Sequence, residues 1–144
     1  MIAYFDTSAL VKLFLRDEEG ADVVAEVWDA SDIACTSRIA YPEGRAALAS
    51  AHRLGRLTTS ALVRARETLS SVFDQLAVVE LSAPLSEAAG EVSERFALRA
   101  LDAVHLASAL TIAAAPTLLV TWDEQLAGAA RRAGLDVAPA ALGG

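Results

Sequence analysis

Short apolar runs alternate with helical patterns along the whole sequence, and this alternation limits the possible folds more than any other feature. The runs that predict strands are Ile2–Phe5, Ile33–Thr36, Val78–Leu81 and Leu118–Val120, with Val137 as a candidate for a fifth strand. Apolar residues at helical spacing predict helices over Leu10–Leu15, Ala21–Trp28, Ile39–Leu54, Ser60–Leu76, Pro84–Phe96, Leu101–Ala114 and Glu124–Ala133. Strands separated by helices pair in parallel through right-handed crossovers. The sequence therefore predicts a three-layer α/β/α fold with a central, mainly parallel sheet of four to five strands.

Length and composition fit one domain over residues 1–144 with a substantial core. The chain has 144 residues, of which 54% are hydrophobic, and domains commonly run to about 100–150 residues. Cys35 is the only cysteine, so we expect a buried free thiol and a reducing compartment. The apolar run Ala103–Val120 is interrupted by polar residues and by Pro116, whereas a membrane span needs about 20 apolar residues. We expect a cytoplasmic protein without an export signal or a membrane partner.

Four carboxylates fall where predicted strands end or predicted helices begin. Asp6 directly follows the first strand, and Asp123 comes shortly after the fourth. Asp102 opens the helix LDAVHLASAL, and Glu43 lies in the first turns of the helix after the second strand. Ligands of parallel sheets bind beyond the carboxyl ends of the strands. We therefore expect the four acids to meet at one rim of the sheet.

Each acid taken alone also has a structural explanation. Asp6, Asp102 and Asp123 stand at helix starts, where carboxylates cap free N–H groups and complement the helix dipole. Thr121 and Glu124 have the spacing of a capping box, which would leave Asp123 as an ordinary first-turn acid. The joint placement of all four acids at one rim favours a functional site.

A cluster of carboxylates indicates a cation. Like charges that are brought together and partly buried either take up protons or bind a metal ion. Oxygen ligands without histidine or cysteine favour Mg²⁺ or Mn²⁺ over zinc, and such ions promote phosphodiester hydrolysis. The net charge of −7 argues against a nucleic-acid-binding protein, but less strongly if part of this negative charge binds cations.

Four segments resemble the PIN-domain family of ribonucleases. The opening MIAYFDTSALVKLF is similar to the family's first acidic motif, with Asp6 after the strand. The runs RALDAVHLASAL and LLVTWDEQLAGAARRAGL resemble the third and fourth motifs, around Asp102 and Asp123, and Glu43 in YPEGRAAL matches the second acid. The resemblance covers essentially the whole chain, and its short length is similar to that of VapC-type toxins.

The resemblance implies a Mg²⁺- or Mn²⁺-dependent endoribonuclease toxin that cleaves structured RNA, such as transfer or ribosomal RNA. It also implies a homodimer and a cognate VapB-type antitoxin whose tail fills the active-site groove, commonly with a basic side chain. Asp6 and Asp102 would then be the core metal ligands. Glu43 and Asp123 would complete the site or orient the attacking water.

Further residues are candidates for supporting roles, each with a structural alternative. Ser8 and Thr121 could hydrogen-bond a metal-bound water or a phosphate, or simply cap helices. Arg45 and Arg38 lie in or near the helix that carries Glu43, where they could bind the RNA backbone or form a solvated face. His105 follows Asp102 by one helical turn, but we expect a hydrogen-bonded histidine inside a buried helix rather than a general base.

Other acidic α/β proteins fit the residues less well. A receiver-type phosphoacceptor domain needs a lysine after the last strand, whereas Lys12 lies in the first predicted helix. A haloacid-dehalogenase-like phosphatase needs a second Asp two residues after the first, and Ser8 occupies that place. A non-catalytic PIN-like scaffold that binds RNA or a protein remains the alternative to a nuclease.

Overall fold

A computed structural model describes residues 1–15, 18–113 and 115–140 of the chain. The strands are β1 (Ile2–Phe5), β2 (Ile33–Ser37), β3 (Ala77–Val79), β4 (Thr117–Val120) and β5 (Asp136–Ala138). The helices are α1 (Thr7–Phe14), α2 (Ala21–Ala30), α3 (Ala40–Arg53), α4 (Thr59–Gln75), α5 (Ala83–Phe96), α6 (Ala100–Thr111) and α7 (Glu124–Arg132). Their order agrees with the sequence prediction. Ala114, where the sequence placed the end of the sixth helix, lies outside the described residues.

The five strands form one sheet in the order β3-β2-β1-β4-β5. Every neighbouring pair is parallel, and β1 lies in the middle with Ile2 opposite both Ile33 and Thr117. Val137 pairs with Leu119 in the fifth strand. The predicted parallel sheet and its candidate fifth strand are therefore confirmed. The carboxyl ends of β1 and β4 lie side by side, with Phe5 opposite Val120.

Side chains that alternate along β1 divide the core between the two faces of the sheet. Ala3 and Phe5 belong to the apolar cluster that α1 to α4 cover. Tyr4 and Leu119 belong to the cluster that α5, α6 and α7 cover. Helices thus lie on both faces, and the predicted three-layer α/β/α fold is confirmed.

The apolar segment that begins at Ala103 is a buried helix followed by a strand. Most side chains of α6 are buried, including Leu106 and Ala109. In residues 1–15, 18–113 and 115–140, no helix has the length and hydrophobicity needed to cross a membrane. Cys35 is buried with a free thiol, as predicted.

Candidate active site

The carboxylate of Asp6 lies buried at the rim where β1 and β4 end. Asp6 is the N-cap of α1, and its Oδ1 accepts hydrogen bonds from the Ser8 hydroxyl at 2.7 Å and the Ala9 amide at 2.9 Å. The Thr121 hydroxyl, which follows β4, donates to the other oxygen, Oδ2. Both carboxylate oxygens are therefore held in fixed positions by neighbouring donors.

Burial makes the ionised form of Asp6 costly. Only 4% of the residue surface is exposed, and desolvation raises the pKa of the carboxyl group above its ordinary value. The charge of His105 and the hydrogen bonds from Thr121, Ser8 and Ala9 oppose this increase but do not cancel it. A cation bound at this carboxylate would relieve the same penalty.

The two hydroxyls that hold Asp6 also fix the loop after β4. Ser8 Oγ accepts a hydrogen bond from the Trp122 amide at 2.9 Å. Thr121 Oγ1 accepts one from the Asp123 amide at 3.0 Å. Each hydroxyl therefore donates to Asp6 and accepts from the next loop. Both hydroxyls orient the buried carboxylate and neither is an N-cap, while their contact with a metal-bound water or a phosphate stays a prediction.

The start of α7 rules out one of the structural alternatives. Asp123 is itself the N-cap, because its Oδ1 accepts from the Leu126 amide at 2.8 Å. The Thr121 hydroxyl donates to Asp6 instead of capping this helix. The capping box of Thr121 with Glu124 is therefore wrong. Capping uses only Oδ1 of Asp123, and Oδ2 faces a different partner.

That partner is Arg99, which lies between two of the predicted acids. Its Nε is 3.3 Å from Asp102 Oδ2, and its Nη2 is 3.5 Å from Asp123 Oδ2. The Arg99 side chain is 77% exposed, while the side chains of Asp102 and Asp123 are 17% and 28% exposed. One guanidinium thus bridges two half-buried carboxylates at the edge of the site.

The electrostatic surroundings of Asp102 explain why the Arg99 guanidinium lies beside it. Burial raises the pKa of Asp102, and the nearby charge of Asp123 raises it further. The charge and hydrogen bond of Arg99 act in the opposite direction and only partly offset the increase. When both carboxylates are ionised, the single guanidinium leaves one negative charge of the pair without a counter-charge.

Glu43 belongs to a second group of contacts, formed with His105, Thr7 and Tyr4. Glu43 Oε1 accepts from the Thr7 hydroxyl at 2.7 Å and lies 2.8 Å from His105 Nε2. His105 Nδ1 lies 2.8 Å from the buried Tyr4 hydroxyl. Because a carboxylate only accepts, a neutral His105 donates through Nε2, and Nδ1 then accepts from Tyr4. Burial works to raise the pKa of Glu43, but the hydrogen bonds from His105 and Thr7 outweigh it and lower the pKa.

His105 is buried and hydrogen-bonded, as predicted, and it contributes to the site by orienting Glu43. Its side chain extends from α6 at 3% exposure and packs edge-on against the ring of Tyr4 in β1. In its protonated form the ring would also lower the pKa of both Asp6 and Asp102. The ring therefore links the Glu43 group to the other acids.

Asp6, Asp102 and Asp123 lie in one connected network, Glu43 lies in the second group of contacts, and the four acids do not form a ready-made metal cage. Asp6 connects to Asp123 through Thr121, and Asp123 connects to Asp102 through Arg99. Within residues 1–15, 18–113 and 115–140, no three His, Cys, Asp or Glu side chains are grouped closely enough to hold a metal ion. The oxygen-only donors and the excess negative charge fit a divalent cation in chemistry.

Trp122, which precedes Asp123 in the chain, packs against Lys12 and Gly20. Lys12 Nζ lies 4.7 Å from the centre of the Trp122 ring. Gly20 has a φ of +90°, and a Cβ placed there would lie 2.5 Å from Trp122 Cζ2. Only glycine fits this conformation and this close contact. The packing fixes the loop that carries Asp123.

The two arginines predicted to contact RNA have different surroundings. Arg38 forms a two-pronged ion pair with Glu80 on an exposed surface. Arg45 extends over the Tyr41 ring, and its Nη1 donates to the Tyr41 hydroxyl at 3.0 Å. Arg38 is thus already paired, whereas Arg45 is held on an aromatic side chain that faces solvent.

Sequence reasoning did not single out three residues of the site. Arg99 is three residues before Asp102 on the same helix start, and this spacing is the signal that could have identified it. Thr7 follows Asp6 directly. Tyr4 precedes Asp6 by two residues and lies on the face of β1 opposite to Phe5. Their contacts with Glu43 and His105 depend on how α3 and α6 pack, which no local pattern records.

The fold and the rim of carboxylates define an α/β/α domain with an acidic site beyond the central strand. The sequence matches the PIN domain over residues 3–132. It is 44% identical over 141 residues to Ribonuclease VapC45 of Mycobacterium tuberculosis, covering 98% of this chain and 97% of that protein. The chain therefore belongs to the PIN-domain family, among its VapC ribonucleases.

Solved structures share the fold at much lower sequence identity. FitAcB from Neisseria gonorrhoeae superposes with a TM-score of 0.70 at 19% identity, covering 95% of this chain and 96% of that one. A toxin–antitoxin complex from Klebsiella pneumoniae gives a TM-score of 0.62 at 17% identity, covering 87% and 89%. At these identities the likeness concerns the fold alone.

Proposed function

We propose that this chain is a divalent-metal-dependent endoribonuclease toxin that cleaves structured RNA in the cytoplasm. The observation that carries the proposal is the rim of Asp6, Asp102 and Asp123, in which the buried Asp6 carboxylate is linked through Thr121 to a carboxylate pair that shares one arginine. The 44% identity to a VapC ribonuclease supports the same activity. Transfer or ribosomal RNA is the proposed substrate class.

The donor set supports Mg²⁺ or Mn²⁺ as the cofactor. Asp6, Asp102 and Asp123 offer only oxygen atoms, which these hard cations prefer, and Glu43 would complete the set. Arg99 already shows that a positive group is stable between Asp102 and Asp123. A bound divalent ion would supply positive charge to a phosphate and lower the pKa of water. We expect weak binding until RNA contributes its own phosphate oxygens, because the carboxylates do not form a closed cage.

The chain's own residues supply orientation and charge. Ser8 and Thr121 hold the Asp6 carboxylate in one position. His105 and Thr7 hold Glu43, and their hydrogen bonds keep it ionised at neutral pH. Glu43 is thereby suited to orient an attacking water by accepting a hydrogen bond from it.

RNA contact is proposed for arginines away from the acids. Arg45 lies over Tyr41 on an exposed surface, and Arg66 lines the same shallow depression. A guanidinium held in this way can contact a phosphate with less loss of conformational freedom. Arg38 would first have to leave Glu80.

A VapB-type antitoxin and a homodimer belong to the same proposal. The fold is shared with a chain of a Klebsiella pneumoniae toxin–antitoxin complex. A basic side chain from an antitoxin would find the same excess of negative charge that Arg99 partly neutralises.

Cleavage of total small RNA tests the proposal. Purified, antitoxin-free protein is incubated with Mg²⁺ or Mn²⁺, with EDTA, and as the Asp6→Asn and Asp102→Asn variants. The matched control is Glu91→Gln, which removes one negative charge from the exposed middle of α5. Discrete fragments that vanish with EDTA and with both site variants, but not with the control, are expected. Folded wild-type protein that cuts no RNA yet binds it would instead indicate a non-catalytic scaffold.

A further inference from the structure

Arg99 is placed to act on the site through its side chain alone. Its backbone carbonyl accepts from the Ala103 amide at 2.9 Å and begins α6, whereas its side chain makes no capping hydrogen bond. The guanidinium extends across the rim to Asp102 and Asp123. Its contacts are therefore independent of the start of the helix.

The arginine and a metal ion would use the same carboxylates. Arg99 contacts Oδ2 of Asp102 and Oδ2 of Asp123. The capping bond of Asp123 uses Oδ1, so Oδ2 is the oxygen left for another partner. Asp102 and Asp123 would be among the residues that hold a divalent ion, and the charge of that ion would repel the guanidinium. Arginine and metal are thus competing ligands of one carboxylate pair.

We propose that Arg99 is an internal counter-ion that occupies the Asp102–Asp123 pair in the metal-free protein, is displaced by the divalent cation, and then binds the RNA phosphate at the rim. This inference rests on the proposed metal-dependent activity. The exchange is easy because the Arg99 side chain is 77% exposed and an exposed ion pair contributes little to stability.

The displaced guanidinium remains attached at the edge of the site. Its planar N–H groups match two oxygens of a phosphate better than a lysine would. A phosphate group of the RNA would then replace the two carboxylates as the partner of the guanidinium. Arg99 thereby couples metal binding to substrate binding. In the metal-free protein it reduces the repulsion between Asp102 and Asp123.

Binding of Mn²⁺ without RNA tests the competition directly. Titration calorimetry compares wild type with Arg99→Gln, Arg99→Lys and the control Arg95→Gln, which removes an equal charge from an exposed position on α5. We expect Arg99→Gln to bind Mn²⁺ about two- to fivefold more tightly, the range that loss of a competing exposed ion pair allows. Arg99→Lys should lie between wild type and Arg99→Gln, and Arg95→Gln should match wild type.

Steady-state cleavage at saturating Mn²⁺ tests the second step. Arg99→Gln should raise KM for RNA, and Arg99→Lys should restore part of the loss. Unchanged or weaker Mn²⁺ binding by Arg99→Gln overturns the competition while leaving the proposed function intact. An unchanged KM overturns the role with phosphate. If wild-type protein binds no Mn²⁺ and cleaves RNA in EDTA, both this inference and the proposed metal dependence fail.

Discussion

The buried carboxylate of Asp6 leads to the prediction that removing it stabilises the metal-free protein while abolishing cleavage. Taking an ionised carboxylate out of water costs several kcal/mol. Each hydrogen bond to it returns about 1.5–3 kcal/mol, and Ser8, Ala9 and Thr121 supply three such bonds. The raised pKa of Asp6 means that the penalty remains the larger effect.

The Asp6→Asn substitution removes the charge and keeps most of the contacts. Its amide oxygen can still accept from Ser8 and Ala9, while its NH₂ group faces Thr121, whose hydroxyl must turn to accept. That rearrangement costs about 1 kcal/mol. We expect a net gain of about 1 kcal/mol in unfolding free energy at neutral pH, or about 3 °C in Tm for a chain of this size.

The difference between the two proteins should shrink in acid. The folded-state pKa of Asp6 is raised, so as pH falls through it the folded wild type takes up a proton that the unfolded chain does not yet hold. Wild type gains stability until the unfolded carboxyl group is also protonated, below about pH 4. The gain of Asp6→Asn therefore disappears toward that pH.

Thermal unfolding followed by circular dichroism, in EDTA and across this pH range, measures the effect. Glu91→Gln controls for the loss of one charge at an exposed position. Added Mn²⁺ should raise the Tm of wild type by binding the folded state, and should do so much less for Asp6→Asn. An Asp6→Asn protein that is less stable than wild type in EDTA at neutral pH, or whose advantage grows in acid, would refute the reasoning.

Four further substitutions test the remaining contacts. Thr121→Val removes a buried donor to Asp6 and the acceptor for the Asp123 amide. Chemical denaturation should show that the unfolding free energy falls by about 2–3 kcal/mol, and RNA cleavage should be slower. A fall of less than about 0.5 kcal/mol would contradict the role of the hydroxyl. Tyr4→Phe leaves His105 Nδ1 without its partner and should lower kcat with little change in KM, whereas an unchanged kcat would show that Glu43 needs no orientation through the ring. Glu80→Ala releases Arg38 from its ion pair and should lower KM for RNA while Arg38→Ala raises it, and equal KM values for both variants would remove Arg38 from the RNA contacts.

The strands and helices that form the layers could be predicted because each has a local pattern of apolar residues in the sequence. Apolar runs such as Ile2–Phe5 are short and flanked by helical spacing, so strand and helix could be told apart without knowing their neighbours. No local pattern predicts the order of the strands, because that order depends on which strands pair with the two edges of β1. Asp136–Ala138 was foreseen only through Val137, since three residues are too few for a pattern.

The site shows the same division between local and tertiary information. Asp6 and Asp123 were visible because Asp6 follows a strand directly and Asp123 comes shortly after one. The choice between Thr121 and Asp123 as the cap of α7 was not visible, since both have suitable side chains; the attraction of the Thr121 hydroxyl to buried Asp6 decides it. Arg99 escaped notice because an exposed arginine usually faces only water, and the contact with Asp123 comes from a different helix.

The central position of β1 has a consequence for synthesis of the chain. Strand β1 pairs on one edge with Ile33–Ser37, but its other edge waits during synthesis for the much later Thr117–Val120. Until those late residues emerge, Asp6 lacks the Thr121 donor and the exposed strand edge remains open to wrong partners. A product that terminates before Thr117–Val120 would therefore lack the assembled rim.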